Sequence, residues 1–321
     1  MRILRNVLGK VVRIFLPRRW MRILRDPVLL PGYYRKFAQD IEPLIDVNQH
    51  VLNKDPEYLR AMLRKYGHII DKALERPDFE PGHSKQWYDA AKTTLNLLEK
   101  NDAEEPTITW VKEKIHEYEK RQSQPFRPEK YGCISSDEED YNTLIRIVKE
   151  RRSIRNFTNQ PVEIEKIRRI MEAINWAPSS CNRQPVKVFI TTESALVKQC
   201  ASTCAGATCF TGGACFMSFC ADMRVYNLPE EYHLPDIDTG LGIQNGLLIA
   251  HTLGLSITLL SWAQHTNADD IKLRALLGIS RHYKIIVNGL LGYPVSSKSA
   301  PARVKLEDTL VCVEHSINKD V

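Results

Sequence analysis

From Thr143 onward, amphipathic helical stretches alternate with short apolar strand-like runs, which confines the chain to helices layered on a sheet. A helix from Thr143 leads into a group of arginines, and a second helix carries Ile164, Ile167, Ile170, Met171 and Ile174 on one stripe. Val186, Val188 and Ile190 alternate as a half-buried strand, and residues 214–221 form a continuous apolar strand. A long apolar helix over 242–253, a strand over 255–260, a helix near 268–277 and a strand over 283–291 complete the pattern. The fold class expected is therefore α/β, an α+β sandwich. Ahead of it, a helix is predicted over Pro56–Leu74, with Asp55 as N-cap, Pro56 in the first turn and Leu59, Met62, Leu63, Tyr66 and Ile70 as its apolar stripe. Helical patterns continue at 84–100 and 107–121, and the charged stretch 122–140 reads as a linker. Three regions follow: a basic arm over 1–25, a helical extension with linker over 26–130, and the main domain over 131–321.

The chain has 321 residues, of which 43% are hydrophobic, as expected of an ordinary soluble globular protein. No apolar run approaches the roughly 18 residues that span a bilayer, and no cleavable secretory signal is evident. The net charge of +6 is misleading. Arg2, Arg5, Lys10, Arg13, Arg18, Arg19, Arg22 and Arg25 supply eight positive charges before the first acid, and the rest holds 37 basic against 39 acidic residues. The body is thus not a general nucleic-acid binder. The arm is amphipathic, with Leu4, Val7, Leu8, Val11 and Phe15 on one face, and suits an anionic membrane surface. Packing across a partner subunit and an organellar targeting role are the other readings of the arm. Eight cysteines, five of them from Cys200 to Cys220, fit a reducing compartment, so a cytoplasmic protein is expected, with the arm at the inner face of the membrane.

Two short blocks carry the chemistry. Arg151-Arg152-Ser153-Ile154-Arg155 places guanidinium forks and a hydroxyl at a helix end, a pattern suited to a phosphate because the planar guanidinium meets phosphate oxygens bidentately. Pro178-Ser179-Ser180-Cys181-Asn182-Arg183-Gln184-Pro185 is a turn between a helix and a strand, where backbone N–H groups and small side chains can face a ligand. With Asp238-Thr239-Gly240, Gln244-Asn245, Ala250-His251, Gly254-Leu255, Gly292-Tyr293-Pro294 and Pro301-Ala302-Arg303 following in order, the region from about 141 to 313 resembles the nitroreductase-like family of FMN-dependent oxidoreductases. The first 130 residues lie outside this resemblance.

The resemblance implies a mixed central sheet flanked by helices, an obligate homodimer, and FMN bound between subunits. It implies Arg151, Arg152, Ser153 and Arg303 at the phosphate, and Arg155 near flavin N1 and O2, where its charge favours the reduced ring. Pro178, Ser179, Ser180, Asn182 and Gln184 would line the ring and ribityl chain. Leu259, Leu260, Ser261 and Trp262 end a strand where the family places a loop over one flavin face; Trp262 is alternatively core. The implied reaction is ping-pong, from NAD(P)H or another reductant through flavin N5 to a small-molecule acceptor. A reductive dehalogenase or flavin-consuming enzyme on the same scaffold, and a non-catalytic flavin-binding assembly protein at the membrane, are the alternatives.

Other motifs are weaker. The segment 240–245 lacks the third glycine of a dinucleotide fingerprint and does not follow a strand, so Gln244 and Asn245 are expected to satisfy backbone or inter-subunit hydrogen bonds. Cys200, Cys204, Cys209, Cys215 and Cys220 match no common zinc or iron–sulfur spacing. Cys215 and Cys220 read as buried apolar residues, while Cys200, Cys204 and Cys209 fall in a Gly/Ser/Thr-rich stretch expected near the substrate mouth. His68 with Asp71 and Lys72 resembles a His-x-x-Glu-Lys element of family members from polysaccharide clusters that carry a helical N-terminal extension, a branch the Leu260-Ser261-Trp262 segment also fits. A lone helix-surface histidine is the plainer reading.

Overall fold

The computed structural model describes residues 55–98, 106–123 and 137–312, apart from 208, 209, 211, 213 and 227. The basic arm and Cys209 lie outside these residues. Helix α1 (Pro56–Leu74) begins where expected: the Asp55 carboxylate accepts from the N–H groups of Glu57 and Tyr58 at 2.9 and 3.3 Å. Its stripe buries Met62, Leu63, Ile70 and Leu74. With α2 (Lys85–Leu98) and α3 (Pro106–Arg121) it closes a small core of Leu63, Ile70, Ala91, Leu95, Ile108, Val111 and Tyr118. Each fully buried aliphatic side chain there contributes about 1.5–3 kcal/mol of transfer free energy.

Helix α4 (Glu138–Glu150) is capped by Asp137 and starts five residues earlier than the apolar pattern alone indicates. Helix α5 (Ile164–Asn175) follows, then strand β1 (Val186–Thr191), helix α6 (Ser194–Ala201) and strand β2 (Cys215–Asp222). Helix α7 (Leu234–Thr252), strand β3 (Ser256–Leu260), helix α8 (Asn267–Leu277), strand β4 (Tyr283–Gly292) and the short α9 (Leu306–Thr309) complete the described chain. The strand order is β1-β2-β4-β3. The sheet was expected to be mixed; its four described strands instead pair antiparallel throughout. Periodicity reports which face of a strand is buried but not its direction, so nothing in the residue pattern could correct that expectation.

Strand β2 is buried along its whole length, which explains its unbroken apolar run. Cys215, Met217 and Phe219 point to α5 and α7, where Ile167, Ile170, Ile174, Ile243 and Leu247 complete one core. Phe216 and Cys220 point the other way, to α6, α8, Trp262 and Ile279. The result is a three-layer helix–sheet–helix arrangement. Helix α7 begins eight residues before the 242–253 reading because Gly242, taken from sequence as the helix's start, lies inside it. Glycine has a packing reason at Gly246: a Cβ there would lie 3.0 Å from the Ile174 side chain, which would have to give way.

Two contacts fix α1 to the sheet. Tyr58, Ala61 and Met62 pack with Val225 and Tyr226. Arg224, just beyond β2, donates to Asp222 at 2.9 and 2.6 Å and reaches both Asp55 carboxylate oxygens at 3.3 Å. Asp55 therefore caps a helix and anchors it at once. Burial opposes its charge, but Arg224 and the two backbone donors outweigh burial and hold its pKa below the usual carboxylate value.

Candidate functional site

The arginine segment is held in place by its neighbours. Arg151 ends α4, its N–H donating to Ile147 O at 3.0 Å. The Ser256 hydroxyl at the start of β3 donates to Arg152 O (2.8 Å) and accepts from Ile154 N (3.2 Å), pinning the segment against the sheet. Two residues on, Thr158 N donates to Tyr293 O (2.8 Å) and Val295 N to Asn156 O (3.0 Å), so the chain runs alongside the exit of β4. Gly212 crosses so close that a Cβ would fall 1.7 Å from Phe157 O, and its φ of 85° is left-handed; only glycine fits. These ties bury Ile154 and Phe157 and leave Ser153 and Arg155 exposed between them.

The C-terminal arginine returns to the same place. Arg152 Nε donates to Ser299 O at 3.1 Å, which brings the 299–303 segment alongside. Burial first, and then the charges of Arg152 and Arg303, hold the Arg151 pKa below the usual arginine value. Among the described residues no carboxylate is ion-paired with Arg151, Arg152, Arg155 or Arg303. Like charges gathered without a counter-ion are costly, and an anion with several oxygens is what would relieve them.

The second block forms a loop of unusual backbone. Cys181, Asn182 and Gln184 have φ of 53°, 55° and 54°, all left-handed, and none is glycine. Asp238 holds the loop: its Oδ1 accepts from Ser180 N and Ser180 Oγ at 3.0 and 2.9 Å, and its Oδ2 from Tyr226 OH at 2.9 Å. Ser179 Oγ accepts from Gln184 N, and Gln184 Nε2 donates to Asn182 Oδ1, both at 2.9 Å. Pro178, Ser179 and Gln184 line a shallow cleft with Ile174, Pro185 and Asp238. Asp238 is a site residue that sequence reasoning did not assign; its Asp-Thr-Gly motif was the available signal.

Among the described residues no hydrogen bond or ion pair joins the arginine group to the 178–184 loop. The third group divides. Leu259 and Ser261 are exposed, Leu260 is buried, and Trp262 is 5% exposed, stacked on His265 at 4.3 Å within the core. Trp262 therefore lies in the core, the alternative its sequence left open.

The cysteines resolve in the same direction. Cys200 and Cys204 are in the core and not at a mouth: α6 turns Cys200 inward, and Cys204, just beyond it, packs beside Asn288 of β4. Burial pushes the thiols of Cys200, Cys204 and Cys215 up to about 11 and that of Cys220 to about 12, which keeps them protonated and unreactive near neutral pH. Asn245 Nδ2 donates to Ala173 O at 3.1 Å, a backbone bond between α7 and α5. Asp71, three residues after His68, pairs with Lys114 of α3 at 2.8 Å, a contact within the helical extension.

Residues 148–208, which include both blocks, match the nitroreductase family. Over this stretch the chain is similar to that family. It is 26% identical over 182 residues to the FMN reductase [NAD(P)H] of Bacillus subtilis, covering 52% of this chain and 72% of that protein. It is 25% identical over 172 residues to the NADPH-flavin oxidoreductase of Vibrio harveyi, covering 51% and 70%. A nitroreductase of Desulfovibrio desulfuricans solved with FMN aligns at 24% identity and a TM-score of 0.47, over 54% of this chain and 97% of that one. All three matches leave about half of the chain uncovered.

Proposed function

We propose that this protein is an FMN-dependent oxidoreductase that takes reducing equivalents from NAD(P)H and passes them to a small-molecule acceptor. The observation that carries the reading is Arg151 lying within reach of the charges of Arg152 and Arg303, with no ion-paired acid on any of the three among the described residues. The residues present fit FMN. Arg151, Arg152, Ser153 and Arg303 would hold its phosphate, Arg155 would face the pyrimidine edge, and Pro178, Ser179, Ser180, Asn182 and Gln184 would line the ring and ribityl chain. When bound, FMN supplies a ring that accepts and releases hydride at N5. The protein's part is to orient donor and acceptor in turn over that ring and to favour negative charge at its edge through Arg155. The FMN reductase and flavin oxidoreductase named above support the same assignment.

Purified protein is expected to carry FMN and not FAD, with a spectrum that NADH or NADPH bleaches anaerobically. Arg303→Glu should lower FMN affinity at least about tenfold, since a charge-assisted bond is lost and repulsion added. A variant that holds FMN as tightly as the parent removes the phosphate assignment.

The reading includes a homodimer in which the arginines of one subunit face the 178–184 loop of the other. Its support is that no hydrogen bond or ion pair among the described residues joins the two groups, and that apolar side chains are left exposed on α4 (Tyr141, Leu144, Val148) and α7 (Ile237, Leu241). Sedimentation should give a dimer that loses flavin as it dissociates; a stable monomer with full flavin occupancy contradicts it. It also divides the chain into arm, helical extension and flavin domain at about 25 and 130, the arm touching an anionic membrane from the cytoplasm. No described helix is long and apolar enough to cross a membrane. Deleting residues 1–25 should abolish salt-sensitive cosedimentation with anionic liposomes, and equal recovery of both forms in the supernatant counts against membrane contact.

A further inference from the structure

The 179–184 loop is held from two sides, and one of them is the helical extension. Asp238 and Ser179 hold it from the sheet domain, as described above. From α1, Arg64 Nε and Nη2 donate to the carbonyl of Arg183 at 3.3 and 3.1 Å. Arg183 lies between left-handed Asn182 and Gln184, so the carbonyl that Arg64 grips belongs to the most constrained stretch of the loop. The third arm of the same guanidinium, Nη1, lies 3.4 Å from Thr107 Oγ1 of α3. One side chain thus spans two helices of the extension and the loop.

The Arg183 side chain is fixed as well. It is 1% exposed, donates from Nη2 to Glu231 Oε1 at 2.5 Å, and lies 5.5 Å from the centre of the Tyr226 ring. Tyr226 in turn donates to Asp238. A closed circuit results: Arg64 to the Arg183 carbonyl, Arg183 across Tyr226 to Asp238, and Asp238 back to Ser180. Left-handed backbone at non-glycine residues persists only where the surroundings over-determine it, and here the extension supplies part of that constraint.

We infer that the helical extension sets the geometry of the flavin-lining loop, with Arg64 as a positioning residue. The inference rests on the flavin reading proposed above, and touches no ligand itself. Loss of the fork releases the Arg183 carbonyl and lets Cys181, Asn182 and Gln184 relax toward ordinary backbone, displacing Ser179, Ser180 and the Gln184 side chain together. The extension then tunes the flavin's surroundings from outside the flavin domain.

The test compares the full-length parent with Arg64→Ala, Arg64→Lys, and Lys85→Ala as a control that removes an exposed i,i+4 pair on α2. In FMN-free protein, amide hydrogen exchange over 179–185 should quicken about tenfold or more in Arg64→Ala, with exchange in the β2 core unchanged. FMN affinity should fall about tenfold, and the absorbance band of the bound flavin should shift. Arg64→Lys, which keeps the charge and stem but not the fork, should fall between, and serves alone if the alanine variant does not fold. Lys85→Ala should match the parent. Parent-like loop exchange, FMN affinity and flavin spectrum in folded Arg64 variants overturn the inference and leave the flavin reading standing. A parent that binds no FMN overturns both.

Discussion

Arg224→Met is expected to lower folding stability by about 3–5 kcal/mol, because it strands a buried carboxylate. Asp222 is 2% exposed, and Arg224 supplies two of its hydrogen bonds, at 2.9 and 2.6 Å, leaving only the backbone N–H of residue 224 at 3.1 Å. The same substitution releases Asp55, so the helical extension loses its ionic tie to the sheet along with the local pairing. Urea denaturation should show the loss, and a change below about 1 kcal/mol would mean the pair is idle. Asp222→Asn combined with Arg224→Met should recover part of it, since removing a buried pair whole costs less than breaking it. The effect has a pH signature. The Asp55 pKa is lowered in the folded protein, so its contribution is full above the ordinary value of 3.8 and fades as pH falls through the lower folded value. Parent and variant should converge in strong acid.

Asp238→Ala should cost the flavin. Three donors end on that carboxylate, Ser180 N, Ser180 Oγ and Tyr226 OH, all within 3.0 Å, and the carboxylate is 2% exposed. Burial and then the neighbouring Asp238 charge drive the Tyr226 phenol far above its ordinary pKa, so it stays a donor throughout the working range. Each bond to a charged acceptor contributes about 1.5–3 kcal/mol, and an alanine leaves buried donors unmatched besides. FMN affinity, followed by flavin fluorescence, should drop by about a hundredfold, with the loop rather than the sheet losing hydrogen-exchange protection. Asp238→Asn keeps the shape but offers one acceptor in place of two and should lie between. Undiminished affinity in the alanine variant would remove Asp238 from the site.

Local signals were the legible ones. Asp55, Pro56 and the spacing of Met62, Leu63 and Ile70 place α1 to the residue, because caps and 3.6-residue periodicity act within a few positions. The apolar run of β2 announced a strand buried on both faces. Arg151 feels the charges of both Arg152 and Arg303, although 151 residues lie between the outer two. What stayed hidden was long-range or non-periodic. Asp238 meets Ser180 across 58 residues, and Arg64 meets Arg183 across 119. The left-handed loop contains no glycine within 179–184 to advertise it. Gly242 looked like the start of a helix that runs through it, since packing against Ile174 outweighs glycine's weak helix propensity.

Helix α4 buries none of its thirteen residues in a single copy, yet its stripe of Tyr141, Leu144 and Val148 is apolar. A helix of that length without packing is marginal in water. The helix that delivers the arginines to the sheet thus has little burial of its own to hold it while the chain is alone. On the homodimer reading, a newly made copy waits with this face uncovered until another arrives, and its yield is set by a race between encounter and aggregation. Protein abundance would then act as a folding parameter: scarce chains mature slowly, and the arginine end of the site is among the last parts to set.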